Sequence, residues 1–108
     1  MNTISRTLEN AATAAPSGIE ITMLDVRSPS EFAMGHVRGA LNVPLDRLAN
    51  TIEQLVPDKK APLLLYCASG TRSGMACSIL QQMGYSDVRN GCNAGIVSQE
   101  MNLPIQRL

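Results

Sequence analysis

The run Leu63-Leu64-Leu65-Tyr66 constrains the fold more than any other part of the chain. It is apolar at every position, so both of its faces must be covered. That is the condition of a central strand in a parallel sheet. Around it, short apolar runs alternate with helical patterns, as in βαβ units. Met23–Val26 and Ala40–Val43 predict two further strands, and Ser86–Arg89 a weaker one after Gly84-Tyr85. The helices are better marked. Ser28-Pro29-Ser30-Glu31 carries a capping box with Pro at the first helical position, and the short helix it opens ends near Gly35. Leu45, Leu48, Ala49, Ile52, Leu55 and Val56 keep helical spacing up to Pro57, and Ala76, Ile79, Leu80 and Met83 do so up to Gly84. A last helix is predicted from Asn93 to about Met101, with Asn93 as its N-cap. The chain therefore reads as α/β: a small, open, mostly parallel sheet of about five strands with helices on both faces.

Length fits a single domain over residues 1–108. The sequence divides into an N-terminal helix and turn at 1–18, a core at 19–101 and a C-terminal tail at 102–108. A chain of this size buries roughly 65% of its unfolded surface, enough for one core. Nine basic and nine acidic residues cancel, and aromatics are 3%. Neither an electrostatic footprint nor a stacking platform for nucleic acid is present. No apolar run has the length of a membrane span. The first residues show no basic head followed by an apolar block, so a cytoplasmic protein is expected. Three cysteines (Cys67, Cys77 and Cys92) without a secretory signal argue against a disulfide framework. With no CxxC pair and His36 as the single histidine, no zinc or other metal site is expected.

In an open α/β sheet the site lies beyond the carboxyl ends of the strands. The segment there with the most chemistry is Cys67-Ala68-Ser69-Gly70-Thr71-Arg72-Ser73. A cysteine directly after the central strand, a compact loop and a helix beginning near Ser73 put the Cys67 sulfur before a helix N-terminus. Free N–H groups and the positive end of the dipole favour an anion there. Gly70 lets the loop curl so that Ala68, Ser69, Gly70, Thr71 and Ser73 form a cradle of backbone N–H groups. A thiol so held has a lowered pKa. Arg72 adds a fixed charge able to bind a two-oxygen anion.

This loop resembles the active-site loop of the rhodanese family of sulfurtransferases, Cys-x-x-Gly-x-Arg-Ser. A second stretch is similar to that family's first signature in order and spacing: Asp25-Val26-Arg27, Glu31-Phe32, Gly35-His36-Val37 and Gly39 to Pro44. A third is Leu80 to Tyr85, the helix end before the last strand. The resemblance covers roughly residues 19–101. Two departures stand out. Arg38 replaces a frequent Pro, and Asn90-Gly91-Cys92-Asn93-Ala94-Gly95 stands where the family commonly has a Gly-Gly pair and then a Trp. The resemblance implies a thiosulfate sulfurtransferase working through a persulfide on Cys67. Its partners would be a small anionic sulfur donor and a cyanide, thiol or protein acceptor. No cofactor is implied. Two alternatives use the same loop: a persulfide carrier serving protein partners, and a thiol redox protein pairing Cys67 with Cys92. Cysteine phosphatases use a longer loop between Cys and Arg, to encircle a phosphoryl group, than the four residues found here.

Asp25 and Arg27, at the end of the first strand, have two readings: contact with substrate or, the favoured one, tying that edge together by ion pairing and capping. His36 is expected to be a structural histidine and Cys77 a packing residue. Cys92, after the last strand, is on the same edge as Cys67 and is a candidate resolving thiol.

Overall fold

In the computed structural model, which describes residues 20–108, the chain runs β1 (Thr22–Asp25), α1 (Pro29–Met34), β2 (His36–Val37), β3 (Leu41–Asn42) and α2 (Leu45–Leu55). It continues through β4 (Leu63–Cys67), α3 (Thr71–Gln82), β5 (Val88–Asn93), α4 (Ala94–Met101) and β6 (Ile105–Gln106). The helix and turn expected within residues 1–18 lie outside the described residues.

β4 is the central strand. Its five residues are all buried, and they divide between two cores by the two-residue period of a strand. Leu63, Leu65 and Cys67 join Leu24 and Val26 under α2 and α3, against Leu48, Ile52, Ala76, Cys77 and Leu80. Leu64 and Tyr66 join Met23 on the opposite face with Val37, Ala40, Val97 and Phe32. The sheet is parallel throughout, in the order β3-β1-β4-β5. After β1 the chain moves outward to β3, then returns through α2 to the other side of β1. The strand order therefore reverses between β1 and β4, the switch point at which open α/β sheets carry their sites.

Among the described residues this sheet has four strands, in line with the small, mostly parallel sheet expected. A separate two-stranded antiparallel ribbon pairs β2 with β6, His36 opposite Gln106 and Val37 opposite Ile105. Residues 102–108, read as a tail, thus contain a strand. Asn102 ends α4 in the left-handed region at φ 56°, and the chain turns back onto β2. Two-residue strands carry no periodicity, so their pairing is invisible in the sequence.

α1 opens as its capping box requires. The Ser28 hydroxyl accepts from the Glu31 N–H at 3.2 Å, and the Glu31 carboxylate accepts from the Ser28 N–H at 3.0 Å. β5 lies later than Ser86–Arg89. Gly84, at φ 101°, ends the turn after α3, and the Ser86 N–H donates to the Lys59 carbonyl. The strand therefore starts at Val88, opposite Leu63, and runs on to Asn93.

Candidate active site

Cys67 is the last residue of β4, not the first residue of the loop, and its side chain is 1% exposed. Ala68 and Ser69 lead to Gly70, which takes φ 96° and serves as the N-cap of α3. Only a residue without Cβ adopts that conformation without strain. It lets the chain reverse within the loop, so α3 begins at Thr71, two residues earlier than Ser73. Arg72 and Ser73 consequently stand in the first helical turn. No side chain caps α3, which leaves its leading N–H groups for the sulfur. The Gly70 N–H donates to Cys67 Sγ at 3.0 Å, and Ser73 Oγ is 3.4 Å from the same atom. Burial pushes the Cys67 thiol up. In the thiolate, hydrogen bonds from the Ser73 hydroxyl and from the backbone N–H groups of Ser73, Ser69 and Gly70 outweigh it and bring the thiol down to about 7. Near neutral pH the group is poised between thiol and thiolate.

The other wall of the loop is β5. Its register against β4 shifts between Leu65 and Cys67, which face Asn90 and Asn93, so β5 carries one extra residue there. This bulge contains Gly91 and Cys92, and Cys92 lies at φ 76°. Bulges beside functional sites re-aim side chains. Here Cys92 lies inside the strand, not after it. Its thiol is 3.5 Å from the Ser69 carbonyl, and a Cβ built on Gly70 would lie 3.2 Å from its sulfur. Asn90, which the sequence did not single out, binds three parts of the site. Its Oδ1 accepts from Ser73 Oγ at 2.7 Å and from the Cys92 N–H at 3.0 Å, and its Nδ2 donates to the Gly70 carbonyl at 3.1 Å. An exposed Asn within a strand gives no local signal. Only the bulge brings it over the loop.

Arg72 does not extend free toward the loop. Its guanidinium forks onto the Glu31 carboxylate, at 2.8 Å and 3.0 Å. Arg72, followed by the Ser28 amide and hydroxyl, holds the Glu31 carboxyl down at about 2. Asp25, fully buried, is paired with Arg27 at 2.6 Å, and Arg27 also donates to the Gly35 carbonyl at 2.7 Å. These two pairs fasten β1, α1 and α3 together at the carboxyl edge. His36 is buried, stacks on Phe32 with ring centroids 3.6 Å apart, and bonds the Phe32 carbonyl through Nδ1 at 2.7 Å. Cys77 is buried under α3, where burial pushes its thiol up, the condition of an inert cysteine. Asn93 caps α4 by accepting from the Ile96 N–H at 2.9 Å. Among the described residues no three His, Cys, Asp or Glu side chains gather as metal ligands, and no helix is long and apolar enough to cross a membrane.

Beside the loop, a depression of about 490 Å³ opens between the starts of α1, α2 and α3. Val26, Pro29, Pro44 and Leu45 make its apolar walls, and Ser28, Asp46, Arg47 and Arg72 its polar lining.

The sequence matches the rhodanese-like domain family over residues 8–91. It is 43% identical over 67 residues to the thiosulfate sulfurtransferase PspE of Escherichia coli, across 62% of this chain and 64% of that protein. It is 36% identical over 78 residues to the thiosulfate:glutathione sulfurtransferase of Saccharomyces cerevisiae, across 62% of this chain and 56% of that protein. The chain thus spans less than two thirds of either relative's length. Among solved structures, an E. coli rhodanese with anions aligns with a TM-score of 0.73 and 34% identity, over 82% of this chain and 100% of that one.

Proposed function

Since the chain belongs to the rhodanese-like domain family, we propose that it moves a sulfane sulfur from thiosulfate, or a similar small anionic donor, to a thiol or cyanide through a persulfide on Cys67. The observation that carries this reading is the Gly70 N–H on Cys67 Sγ at 3.0 Å, at the uncapped start of α3. That arrangement stabilises a sulfur anion at the end of the central strand.

The Cys67 thiolate attacks the outer sulfur of thiosulfate. The new Sγ–S bond forms as the old S–S bond breaks, and its electron pair leaves with sulfite. The negative persulfide then rests against the N–H groups that held the thiolate. An acceptor nucleophile takes the outer sulfur, and the bond pair returns to Cys67 as thiolate. Arg72 spends two of its five N–H groups on Glu31, and the other three remain for the donor dianion. The depression beside the loop, with apolar walls and Asp46, Arg47 and Arg72 in its lining, gives an acceptor thiol room next to Cys67.

Intact mass before and after thiosulfate, and again after cyanide, tests the scheme. Wild-type protein should gain one sulfur atom and lose it to cyanide, and Cys67→Ser should gain none. No gain in the wild type overturns thiosulfate as donor.

A second reading, thiol redox cycling, draws on the Cys92 thiol lying against the loop at Ser69. Peroxide would oxidise Cys67 to the sulfenic acid. The Cys92 thiol would then close the disulfide with loss of water. Digestion after mild peroxide treatment should yield a Cys67–Cys92 peptide. Its absence removes this reading and leaves sulfur transfer untouched.

A further inference from the structure

The proton of Ser73 is claimed by two acceptors, and Asn90 decides between them. The Asn90 amide has only one orientation that serves its neighbours. The Cys92 N–H, 3.0 Å away, requires an oxygen, and the Gly70 carbonyl, 3.1 Å away on the other side, requires an N–H. Oδ1 is therefore the atom facing Ser73, and it can only accept. At 2.7 Å the Ser73 hydroxyl donates to it. A hydroxyl has one proton. With that proton on Asn90, only the lone pairs of Ser73 Oγ are available to Cys67 Sγ at 3.4 Å. In the neutral site the thiol is then the donor to Ser73. When the thiol loses its proton to water, Ser73 must turn from Asn90 to the sulfur to stabilise the anion. Asn90 Oδ1 keeps the Cys92 N–H and is not orphaned by the turn.

We propose that Asn90 is a positioning residue that sets the proton state of Cys67 through Ser73, holding the hydroxyl as an acceptor for the resting thiol and releasing it as a donor to the sulfur anion. This deepens the sulfur-transfer reading and rests on Cys67 being the reacting atom. Asn90 touches neither donor nor acceptor. It acts by competing for one proton. The ionisable groups around the loop are Arg72 of α3, Glu31 of α1, Asp25 and Arg27 at the end of β1, and Cys92 of β5. The first four are held in two ion pairs. Changes at Asn90 and Ser73 remove no charge, so a change in Cys67 titration would report the hydrogen bonds.

The test is a cycle of four proteins: wild type, Asn90→Leu, Ser73→Ala and the double variant. The readout is the rate of Cys67 alkylation by iodoacetamide against pH, followed on the Cys67 peptide by mass spectrometry. It needs no sulfur donor, so a failure of thiosulfate chemistry and a failure of this proposal are separate results. Asn90→Leu removes the competitor and should lower the Cys67 midpoint by about one pH unit, the scale of one hydrogen bond to a charged group. Ser73→Ala removes the donor to the anion and should raise it. In the Ser73→Ala background, Asn90→Leu should change nothing. An unchanged midpoint in Asn90→Leu overturns the proposal. So does an equal shift with and without Ser73, because that is the mark of a disturbed loop. If Asn90→Leu does not fold, Asn90→Ser, too short to take the Ser73 proton, completes the same cycle.

Discussion

Gly70 and Cys92 face each other across the site, and both stand at positive φ. Their tolerance to change should differ. A Cβ at Gly70 would meet Cys92 Sγ at 3.2 Å while the backbone stays left-handed at φ 96°. Gly70→Ala should therefore cost about 1–2 kcal/mol in urea denaturation and slow Cys67 alkylation as the Gly70 N–H moves off the sulfur. Cys92, at φ 76°, already carries such strain. It lies in the stretch where the resemblance leads one to look for Gly-Gly, and its φ explains why glycine suits that place. Cys92→Gly should change stability little, since relief of strain is offset by the greater freedom of the unfolded chain. Cys92→Val, β-branched at a left-handed position, should lose about 1–2 kcal/mol.

At the scale of elements, the start of α1 and the start of α3 share one carboxylate. Glu31 closes the capping box of α1 and also holds Arg72 of α3. Because its carboxyl is held at about 2 in the fold, below the ordinary 4.5, the stabilisation it brings is fully present above 4.5 and is lost as pH falls toward 2. Both side chains of the pair are more than one-third exposed, so solvent screening keeps the gain below about 1 kcal/mol. Glu31→Gln retains a capping side chain and removes the ion pair. The variant should be slightly less stable at neutral pH, and the difference should vanish as pH falls through that window in paired urea titrations. It also frees Arg72, so under the proposed sulfur transfer the KM for thiosulfate should fall. A rise in KM would mean that Arg72 binds the donor only while Glu31 orients it. The contact of β5 with α4 is less forgiving. A Cβ on Gly91 would sit 2.5 Å from Val97 and 3.2 Å from the Leu65 carbonyl. Gly91→Ala should cost about 1–3 kcal/mol by overpacking.

Across the whole molecule, Tyr66 couples the sheet to the β2–β6 ribbon. Its hydroxyl accepts from the buried Val37 N–H at 3.0 Å, and Arg27 lies over its ring, 5.6 Å from the centroid. Burial pushes the Tyr66 phenol up to about 12, so it stays neutral throughout the working range. Tyr66→Phe leaves the Val37 N–H without its acceptor and should cost about 1–3 kcal/mol. Hydrogen exchange should show the loss as faster exchange at Val37, with the β1–β4 ladder still protected.

The sequence by itself determined what depends on neighbours along the chain. Uniform apolarity placed β4 between two layers, Ser28 and Glu31 marked the start of α1, Asn93 marked the start of α4, and the Cys67–Ser73 spacing located a sulfur before a helix. Each is a matter of local periodicity, capping or turn chemistry. What only the tertiary structure decided depends on residues far apart. Glu31 meets Arg72 across 41 positions, Asn90 meets Ser73 across 17, and β2 meets β6 with two residues each. The extra residue in β5 swings Cys92 inward, and it is visible only when β4 is laid beside it. Such pairings follow from how layers pack and how strands register, and a single strand's pattern does not contain its partner's.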